Sequence, residues 1–447
     1  MHIIVVGAGE VGSYVAEFLS REGNDVAVVE TDAEQLRVVG EQLDVLTVAG
    51  SGSHPHVLRA AGIERADLLV AVTSNDEANL VACLLAQQAG VAQRIVRLEA
   101  DCFRSREAKG LMEGVGADLV IDPDAETAKD ILELLEYPGA TDLAVMGGGE
   151  VVVLGTILSP DAPLCGRTLS DIAAEYEPDW YFIVAALTRG EHTVIPRADV
   201  RLEANDHLWV LCKRSSRRDL MKLLGLDRGT SRRVMLLGGG HTAQLVAQQL
   251  AVRHCSVTLV ERDHARALEL AECLDGVLVL EGDITDAELL AMEDVGRFDA
   301  VVALTGQDDA NILACLYAKS LGAKETIAVL HRLQLRGLLE EVGIDVALSP
   351  RTATANAVLR FVRGGVAAVA TFLAADFEVI ELEVAKGSAA DGTRIRELGL
   401  PKEVLVGAFV RDGKPQIGRG RSELRNRDHV VIFSRPESLA EVRALFS

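Results

Sequence analysis

Short apolar runs alternate with helical stretches in the first part of the chain. The run at 3–6 leads into a glycine-rich loop and a helical stretch at 13–21, and further runs follow at 26–30 and 66–72. Strands of a parallel sheet that is covered on both faces are almost continuously apolar, and helices connect them. The pattern therefore predicts an α/β fold with a doubly wound parallel sheet.

The chain contains a second copy of this pattern. The glycine-rich loop that starts at Gly7 recurs at Gly238, 231 residues later, and the segment 71–79 recurs at 303–311 with an offset of 232. One inserted residue explains the difference between the two offsets. Such self-similarity indicates a duplicated structural unit. We therefore expect two tandem Rossmann-like sheets.

A segment richer in short strands and turn residues follows each copy, and each predicts a small α+β lobe. A charged stretch at 227–233 indicates a linker between the two halves. The predicted domains are a Rossmann domain at 1–124, a small lobe at 140–225, a second Rossmann domain at 231–350 and a second small lobe at 366–447.

The first glycine-rich loop fits the dinucleotide-binding pattern GxGxxG, because a strand precedes it, a helix follows it and the acidic Glu30 ends the next strand. In that pattern Gly7 forms the tight turn, Gly9 lets a diphosphate approach the backbone, and Gly12 allows close packing of helix on sheet. Glu30 is expected to bind a ribose diol and to repel a 2′-phosphate, which favours NAD over NADP. The candidate loop residues are Gly7, Ala8, Gly9, Glu10, Val11 and Gly12.

Further candidates lie at the predicted carboxyl ends of strands, where ligands of open α/β sheets bind. Thr73 and Ser74 follow the run at 66–72 and are candidates to line this crevice. The segment 76–79 has the alternative role of capping the next helix. Arg97 ends another apolar run, and its position fits either a phosphate contact or a surface salt bridge.

The second copy keeps part of this pattern. Glu261 and Thr305 occupy the positions that match the first glutamate and threonine, whereas Val329 replaces Arg97, so one potential phosphate contact is missing. We expect two non-equivalent sites, of which the first is the better dinucleotide site and the second is weaker or selective for another nucleotide. The second loop comprises Gly238, Gly239, Gly240, His241, Thr242 and Ala243.

Composition limits the kinds of partner. The chain has 447 residues, of which 25% are charged and 4% aromatic, and its formal net charge is −22. A charge of this sign repels nucleic-acid phosphate and anionic lipid. The chain starts directly with an apolar strand, and no apolar run reaches the roughly 18 residues of a membrane span. We therefore expect a soluble, cytoplasmic protein that binds no nucleic acid and does not insert into the membrane.

The sequence gives little support for catalysis or metal binding. The seven cysteines form no CxxC pair, which predicts reduced core thiols rather than a metal site or a disulfide. No Tyr-x-x-x-Lys pair occurs, and His54 and His56 lie in a predicted exposed turn. A duplicated binding unit without a catalytic set favours regulation over an enzymatic role. The alternatives are a soluble NAD-dependent oxidoreductase and a nucleotide-sensing regulator of another partner.

Motifs in both halves resemble the TrkA family, the cytosolic nucleotide-binding subunits of bacterial Trk potassium uptake systems, which contain two regulator-of-potassium-conductance (RCK) modules. The resemblance extends over nearly the whole chain, and its most specific segments are 7–12, 50–55, 71–77, 135–140 and 238–240. It implies a second nucleotide segment from Gly239 to Arg262. It also implies that the NAD(H)-binding positions of the first site are Gly7 to Val11, Glu30, Thr73, Ser74 and Arg97.

The resemblance further implies a membrane partner, the potassium-translocating subunit, on whose cytoplasmic face a ring of such modules docks. The chain is accordingly expected to form a homo-oligomer, a tetramer with eight Rossmann units, that is peripheral to the inner face of the cell membrane. NAD(H) is the expected ligand, with ATP or ADP as further candidates. Nucleotides would gate the partner through different affinities for two shapes of the ring, with about 1–3 kcal/mol of coupling.

Two helical stretches that follow the sheets are candidates to carry this movement. The stretches at 126–136 and 354–363 have apolar stripes suited to helix packing. One interpretation is that they link neighbouring units, and the other is that they are core helices of a single domain. The stripes are formed by Ile131, Leu134, Leu135, Val358, Phe361 and Val362.

Overall fold

A computed structural model describes residues 1–21, 23–103, 110, 114–177, 180–190, 192–226, 231–332, 342–362, 369–371 and 377–447. The chain divides into two compact units, one formed by Met1–Ala128 with Ser349–Val362 and the other by Lys129–Leu348 with Arg363–Ser447. Most of the predicted linker, at 227–230, lies outside the described residues, as do 366–368 and 372–376 of the predicted second lobe.

The first sheet is parallel and six-stranded. Its strands are β1 (His2–Val6), β2 (Asp25–Glu30), β3 (Leu46–Ala49), β4 (Leu68–Ala71), β5 (Gln93–Arg97) and β6 (Leu119–Ile121). The described residues of this region form helices α1 (Glu10–Arg21), α2 (Ala33–Gln42), α3 (Pro55–Ala60), α4 (Asp76–Ala89) and α5 (Pro123–Leu135). The strand order is β3-β2-β1-β4-β5-β6, so the direction of winding reverses between β1 and β4. Ligands of open α/β sheets bind at such a switch point.

An antiparallel lobe follows the first sheet. Its strands are β7 (Asp142–Met146), β8 (Val151–Ile157), β9 (Phe182–Arg189), β10 (His192–Val194) and β11 (His207–Lys213), in the order β10-β9-β11-β8-β7. Two short helices accompany them, α6 (Leu169–Tyr176) and α7 (Arg217–Leu223). Short connections join β7 to β8 and β9 to β10, whereas the chain between β8 and β9 contains α6.

The second Rossmann-like sheet repeats the topology of the first. Its strands are β12 (Arg233–Leu237), β13 (Ser256–Glu261), β14 (Val277–Glu281), β15 (Ala300–Ala303), β16 (Thr326–Val329) and β17 (Val346–Leu348), in the order β14-β13-β12-β15-β16-β17. Its helices are α8 (His241–Val252), α9 (His264–Cys273), α10 (Ala287–Met292), α11 (Asp308–Ser320) and α12 (Pro350–Val362). The predicted duplication of a doubly wound parallel sheet is therefore confirmed.

A second antiparallel lobe ends the chain and shares a core with the first lobe. It contains β18 (Val369–Thr371), β19 (Glu378–Glu383), β20 (Val404–Arg411), β21 (Lys414–Ile417), β22 (His429–Ser434) and α13 (Leu439–Phe446). Trp209 and Leu211 of the first lobe lie in one apolar cluster with Val431 and Phe433 of the second. The buried Glu381 also accepts a hydrogen bond of 2.7 Å from the N–H of Gly147. The two lobes are therefore halves of one folded body.

Helix α12 belongs to the second copy by sequence but to the first unit by packing. It contacts α1 closely, and its residues Val358 and Leu359 are fully buried in the same cluster as Val15 and Leu19 of α1. Separating this helix from the first sheet would expose its apolar face to water. The helix is thus a link between the copies and a core element at once, so each of the two interpretations describes part of its role.

The carboxyl end of α5 also contacts the second copy, in this case through polar groups. The carbonyl of Leu135 accepts a hydrogen bond from the Ser231 N–H at 3.4 Å, and Glu136 pairs at 2.6 Å with Arg253, the residue directly after α8. The Leu135 side chain is 3% exposed. Leu135 is therefore buried within the second unit of the single chain, as the core-helix interpretation predicts.

Several helix bounds differ from the sequence-based ones for local reasons. Helix α1 begins at Glu10 rather than at 13, and α5 and α12 begin at Pro123 and Pro350, a few residues before the apolar stripes. Proline is favoured in the first helical turn because an N–H at that position would have no acceptor within the helix, so its absence costs nothing. The longest described helix, α4, has 14 residues. Among the described helices, none combines the length and the apolar character needed to cross a bilayer.

We predict that Leu135→Asp destabilises the chain by about 3 kcal/mol or more, because a carboxylate would be buried without a partner. Urea unfolding followed by circular dichroism measures this loss. Lys129→Asp, at an exposed position of the same helix, is the control and should change stability by about 0.5 kcal/mol or less. A Leu135→Asp protein of normal stability but lower mass in light scattering would instead assign this residue to an interface between chains.

Candidate functional site

The first glycine-rich loop makes a tight turn between β1 and α1. Gly7 has a φ of +108°, which favours glycine, and its N–H donates to the Val29 carbonyl at 2.8 Å. A Cβ on Gly12 would lie 1.8 Å from the carbonyl oxygen of Gly7. A side chain at position 12 would therefore push α1 away from the turn, so backbone geometry alone requires both glycines.

One glycine in each loop, Gly9 in the first and Gly240 in the second, faces open space. A Cβ on Gly9 would meet no atom within 4 Å beyond its chain neighbours, and the same holds for Gly240 of the second loop. Helices α1 and α8 begin at the next residue in each copy. Open access to the backbone beside the first N–H groups of a helix is the arrangement that accommodates a diphosphate.

A glutamate at the end of the second strand ties each loop to its sheet. The Oε2 atom of Glu30 accepts a hydrogen bond from the Ala8 N–H at 2.7 Å, and Oε1 accepts from the backbone N–H groups of the next two residues at 2.6 and 3.0 Å. Glu261 accepts from the Gly239 N–H at 2.7 Å in the same way. Each glutamate therefore fixes the loop whose ligand it was predicted to contact.

These contacts also set the ionisation of Glu30. Partial burial raises its pKa, but hydrogen bonds from the N–H groups of Ala8, Asp32 and Thr31 and from the Thr31 hydroxyl outweigh burial, so the pKa lies below its ordinary value. The group is therefore ionised at neutral pH. An ionised carboxylate accepts hydrogen bonds from hydroxyl groups and repels phosphate.

A buried asparagine joins the ends of two strands in each copy. The Asn79 amide donates to the carbonyls of Thr73 and Arg97 at 2.9 and 3.0 Å, and its Oδ1 accepts from the Thr73 N–H and hydroxyl at 3.0 and 2.6 Å. Asn311 makes the same contacts with Thr305 and Val329 at 2.6–3.0 Å. Both asparagines are fully buried.

Sequence reasoning considered Asn79 only as part of a segment that could cap the next helix, and it assigned no role to Asn311. The signal was available, because both lie in the segments at 71–79 and 303–311 that reveal the duplication. An asparagine inside a helix is unusual enough to require a polar partner. The Asn79 and Asn311 contacts hold the carboxyl ends of the central strands in place, and thereby shape the crevice beside the glycine-rich loops.

The two loops are held by different donors. In the first loop the Ser13 hydroxyl donates to the Ala8 carbonyl at 2.7 Å. In the second loop the matching carbonyl, that of Gly239, accepts from the guanidinium of Arg266 at 3.0 Å. Arg266 lies on α9 and was not among the predicted site residues, and it places a cation beside the second loop that the first loop lacks at the matching position.

Comparison with known families decides the relationship of the chain. A profile of the TrkA-N domain matches residues 3–123 and 234–350, and a profile of the TrkA-C domain matches 153–225 and 379–447. These four segments contain the two parallel sheets and most of the two antiparallel lobes. The chain belongs to the TrkA family.

Curated relatives support this assignment over the full length of this TrkA-family chain. It is 33% identical to the Trk system potassium uptake protein TrkA of Azorhizobium caulinodans, with 100% of this chain and 98% of that protein covered. It is 35% identical to the TrkA protein of Halomonas elongata, with 97% and 95% covered. Among solved structures, the GsuK channel bound to NAD superposes with a TM-score of 0.59 at 17% identity, covering 100% of this chain and 78% of that one. This structural likeness concerns the fold alone.

The predicted residues at the strand ends of the first sheet lie together. Thr73 contacts the glycine-rich loop, because a Cβ on Gly7 would lie 3.1 Å from its methyl group, and Ser74 is exposed beside it. Arg97 forms a salt bridge with Glu99 and donates to the Val72 carbonyl at 3.4 Å. The salt bridge that was one alternative for Arg97 is therefore present, and the phosphate contact stays a prediction.

The helix after Thr73 is capped by a different residue from those considered. Asn75 is the N-cap of α4 and accepts from the Ala78 N–H at 2.6 Å. Asp76 is the first helical residue, and its carboxylate accepts from the N–H groups of Glu99 and Ala100 at 2.8–3.1 Å. Asp76 thus fixes the loop after β5, which carries the partner of Arg97.

The predicted second-site residues occupy the start of α8 and the end of β13. His241 begins the helix, Thr242 and Ala243 are buried in its first turn, and Ala243 stands where the first copy has Gly12. Arg262 is 70% exposed and lies 4.0 Å from Asp283. The contribution of these residues to binding stays a prediction.

Other candidate chemistry lies outside these loops. His54 and His56 are exposed, as expected, but they stand at the start of helix α3 rather than in a free turn. Cys83, Cys212 and Cys315 are buried, whereas Cys102 and Cys273 are exposed, so the prediction of core thiols is wrong for these two residues. Burial raises the pKa of Cys315 to about 12. Within the described residues, no group of three His, Cys, Asp or Glu side chains is arranged to hold a metal ion.

We predict that Asn79→Ala lowers the free energy of unfolding by about 2–4 kcal/mol, because it leaves buried backbone groups of two strands without partners. Ser74→Ala, at the exposed neighbouring position, is the control and should cost about 0.5 kcal/mol or less. Urea unfolding measures both. Equal stability of the two variants would show that the asparagine contacts do not hold the strand ends.

We predict a pH effect from Glu30, whose pKa in the folded chain lies below the ordinary value of 4.5. Its contribution to stability is present above the unfolded-state pKa and is lost as the pH falls through the lower folded-state pKa. Urea unfolding from neutral to acidic pH should therefore show a shallower loss of stability in Glu30→Gln than in the natural chain. Parallel curves would contradict this role.

Proposed function

We propose that this chain is the nucleotide-sensing regulatory subunit of a Trk-type potassium uptake system. The observation that carries the proposal is the duplicated glycine-rich loop, open at Gly9 and Gly240, in a chain whose curated relatives are named Trk system potassium uptake proteins. Two binding loops on a duplicated scaffold are typical of a sensor. The described residues of these loops do not form a catalytic set of a general acid, a general base and a substrate-binding group.

The proposed ligand of the first site is NAD(H). The ionised Glu30 lies at the end of β2, where a ribose hydroxyl would donate to Oε2, and its charge disfavours a 2′-phosphate. The diphosphate would lie over Gly9 beside the first turn of α1. Thr73, Ser74 and Arg97 would line the remainder of this site.

The proposed second site differs in charge. Its loop begins a helix with His241 instead of Glu10, and the guanidinium of Arg266 is fixed against the Gly239 carbonyl. Arg266 also pairs with Glu269 at 2.8 Å, and a guanidinium held beside a loop favours phosphate oxygens. We therefore assign NAD(H) to the first site and ATP or ADP to the second, with Arg262, Glu261 and Thr305 as further contacts.

The proposed partner is the potassium-translocating membrane subunit. A homotetramer of this chain would supply eight Rossmann-like units to a ring docked on the inner face of the membrane, so its location would be cytoplasmic and peripheral. Nucleotide binding can shift such a ring only by the difference in affinity between its two shapes, about 1–3 kcal/mol in typical cases. A change of this size alters the ratio of the two shapes about 5- to 150-fold.

Two matched variants test this function. Gly9→Val and Gly240→Val place a Cβ where no atom beyond the chain neighbours lies within 4 Å, so each should fold normally and block one loop. Calorimetry should show that Gly9→Val loses NADH binding and keeps ATP binding, and that Gly240→Val does the reverse. Equal effects of both variants on both nucleotides would contradict the assignment of ligands.

Potassium flux tests the regulatory role itself. The chain would be reconstituted in liposomes with a Trk-type translocating subunit, and potassium uptake would be measured with NAD, NADH, ADP and ATP in turn. Uptake should change with nucleotide in the natural chain and lose one response in each glycine variant. Flux that is independent of every nucleotide, or turnover of NADH with a substrate, would reject a purely regulatory role.

A further inference from the structure

An arginine from the second copy lies against the glycine-rich loop of the first. Arg351 is the second residue of α12, the helix that packs on α1 within the first unit. Its guanidinium forms an ion pair with Glu10, the first residue of α1. The Arg351 side chain is 26% exposed and that of Glu10 is 47% exposed. A cation is therefore placed beside the turn that begins at Gly7.

The position of this cation is specific to the second copy. In the first copy the segment Asp122-Pro123-Asp124 begins α5, and in the second the matching segment Ser349-Pro350-Arg351 begins α12. The charge is thus reversed between the copies at the same point of the repeat. The described structure places the cationic version in the same unit as the first loop.

The surroundings of Arg351 favour a phosphate as partner. Burial lowers the pKa of its guanidinium, but an arginine stays charged in proteins, so the side chain must be compensated by anions. The carboxylate of Glu10 is 47% exposed, and an ion pair with an exposed carboxylate contributes little free energy. Phosphate oxygens accept two parallel hydrogen bonds from a guanidinium, and such pairs are stronger than ordinary ones.

We propose that Arg351 binds the diphosphate of the nucleotide in the first loop, so that the second copy completes the first site. The inference rests on the proposed function of that loop. Bound nucleotide would take the Arg351 guanidinium from Glu10 and fix the start of α12. Because α12 begins two residues after β17 ends, this contact would connect occupancy of the first site to the second Rossmann-like sheet.

The test measures NADH affinity by calorimetry in full-length chains that all carry Gly240→Val, so that only the first loop is titrated. Arg351→Ala should weaken NADH binding about ten-fold or more, as expected for a lost charge-assisted pair. Arg360→Ala is the matched control, since Arg360 lies on the same helix and pairs with Glu126 at 2.8 Å. Its affinity should stay within about two-fold of the parent.

A double variant separates direct binding from simple charge neutralisation. If Arg351 binds phosphate, Glu10→Gln with Arg351→Ala should remain as weak as Arg351→Ala alone. If Arg351 only offsets the charge of Glu10, the double variant should regain the parent affinity, and the proposal is overturned. Arg351→Lys keeps the charge but cannot donate two parallel hydrogen bonds to one phosphate, so its NADH affinity should lie between those of the parent and of Arg351→Ala. This variant also tests the proposal if Arg351→Ala does not fold.

The outcomes distinguish this inference from the proposed function. A parent protein that binds no NADH would contradict the proposed first site as a whole. A parent that binds NADH with the same affinity as Arg351→Ala, at comparable thermal stability, would contradict only the role of Arg351. Weakening by Arg360→Ala equal to that by Arg351→Ala would assign the effect to the packing of α12 rather than to phosphate binding.

Discussion

The burial of α12 against α1 is the interaction on which the rest of the first unit depends. Val358 and Leu359 lie fully buried among the residues of the first sheet and its helices, although the helix follows the second sheet in the chain. Burying an aliphatic side chain of this size contributes about 1.5–3 kcal/mol. The first unit therefore contains a helix that comes from the second copy of the repeat and not from the first.

This exchange brings the candidate nucleotide loop and the link between the copies onto the same helix pair. Helix α1 begins in the glycine-rich loop, buries Val15 and Leu19 toward α12, and presents Glu10 to Arg351. Close-packed contacts of this kind resist continuous deformation. A ligand that changes the start of α1 would therefore also act on α12, which is covalently joined to the second copy.

The two copies share the framework of the site and differ in the residues around it. Both copies use a glutamate to fix the loop and a buried asparagine to join the strand ends, with nearly identical distances. They differ where a ligand's phosphates would lie, with Arg97 in the first copy and Val329 in the second, and with Arg266 beside the second loop alone. The two loops thus share their backbone contacts and differ in the charges that surround them.

Much of this arrangement could be predicted from local signals. Alternating apolar and helical stretches predicted both parallel sheets, and the glycine-rich loops located both switch points, because a tight turn and close helix packing demand particular residues at particular spacings. The Glu30 and Glu261 positions followed from the same spacing. Helix starts were less accurate, since Pro123 and Pro350 begin helices before the apolar stripes that revealed them.

The sequence by itself thus determined the duplication, the class of fold and the positions of the two glycine-rich loops. Tertiary structure alone decided that α12 packs on the first sheet, that Arg351 meets Glu10, that Asn79 joins two strand ends, and that Arg266 supports the second loop. Each of these contacts joins residues that lie on different secondary-structure elements. Apolar and charged patterns show that a side chain needs a partner, whereas the path of the backbone selects which partner is within reach.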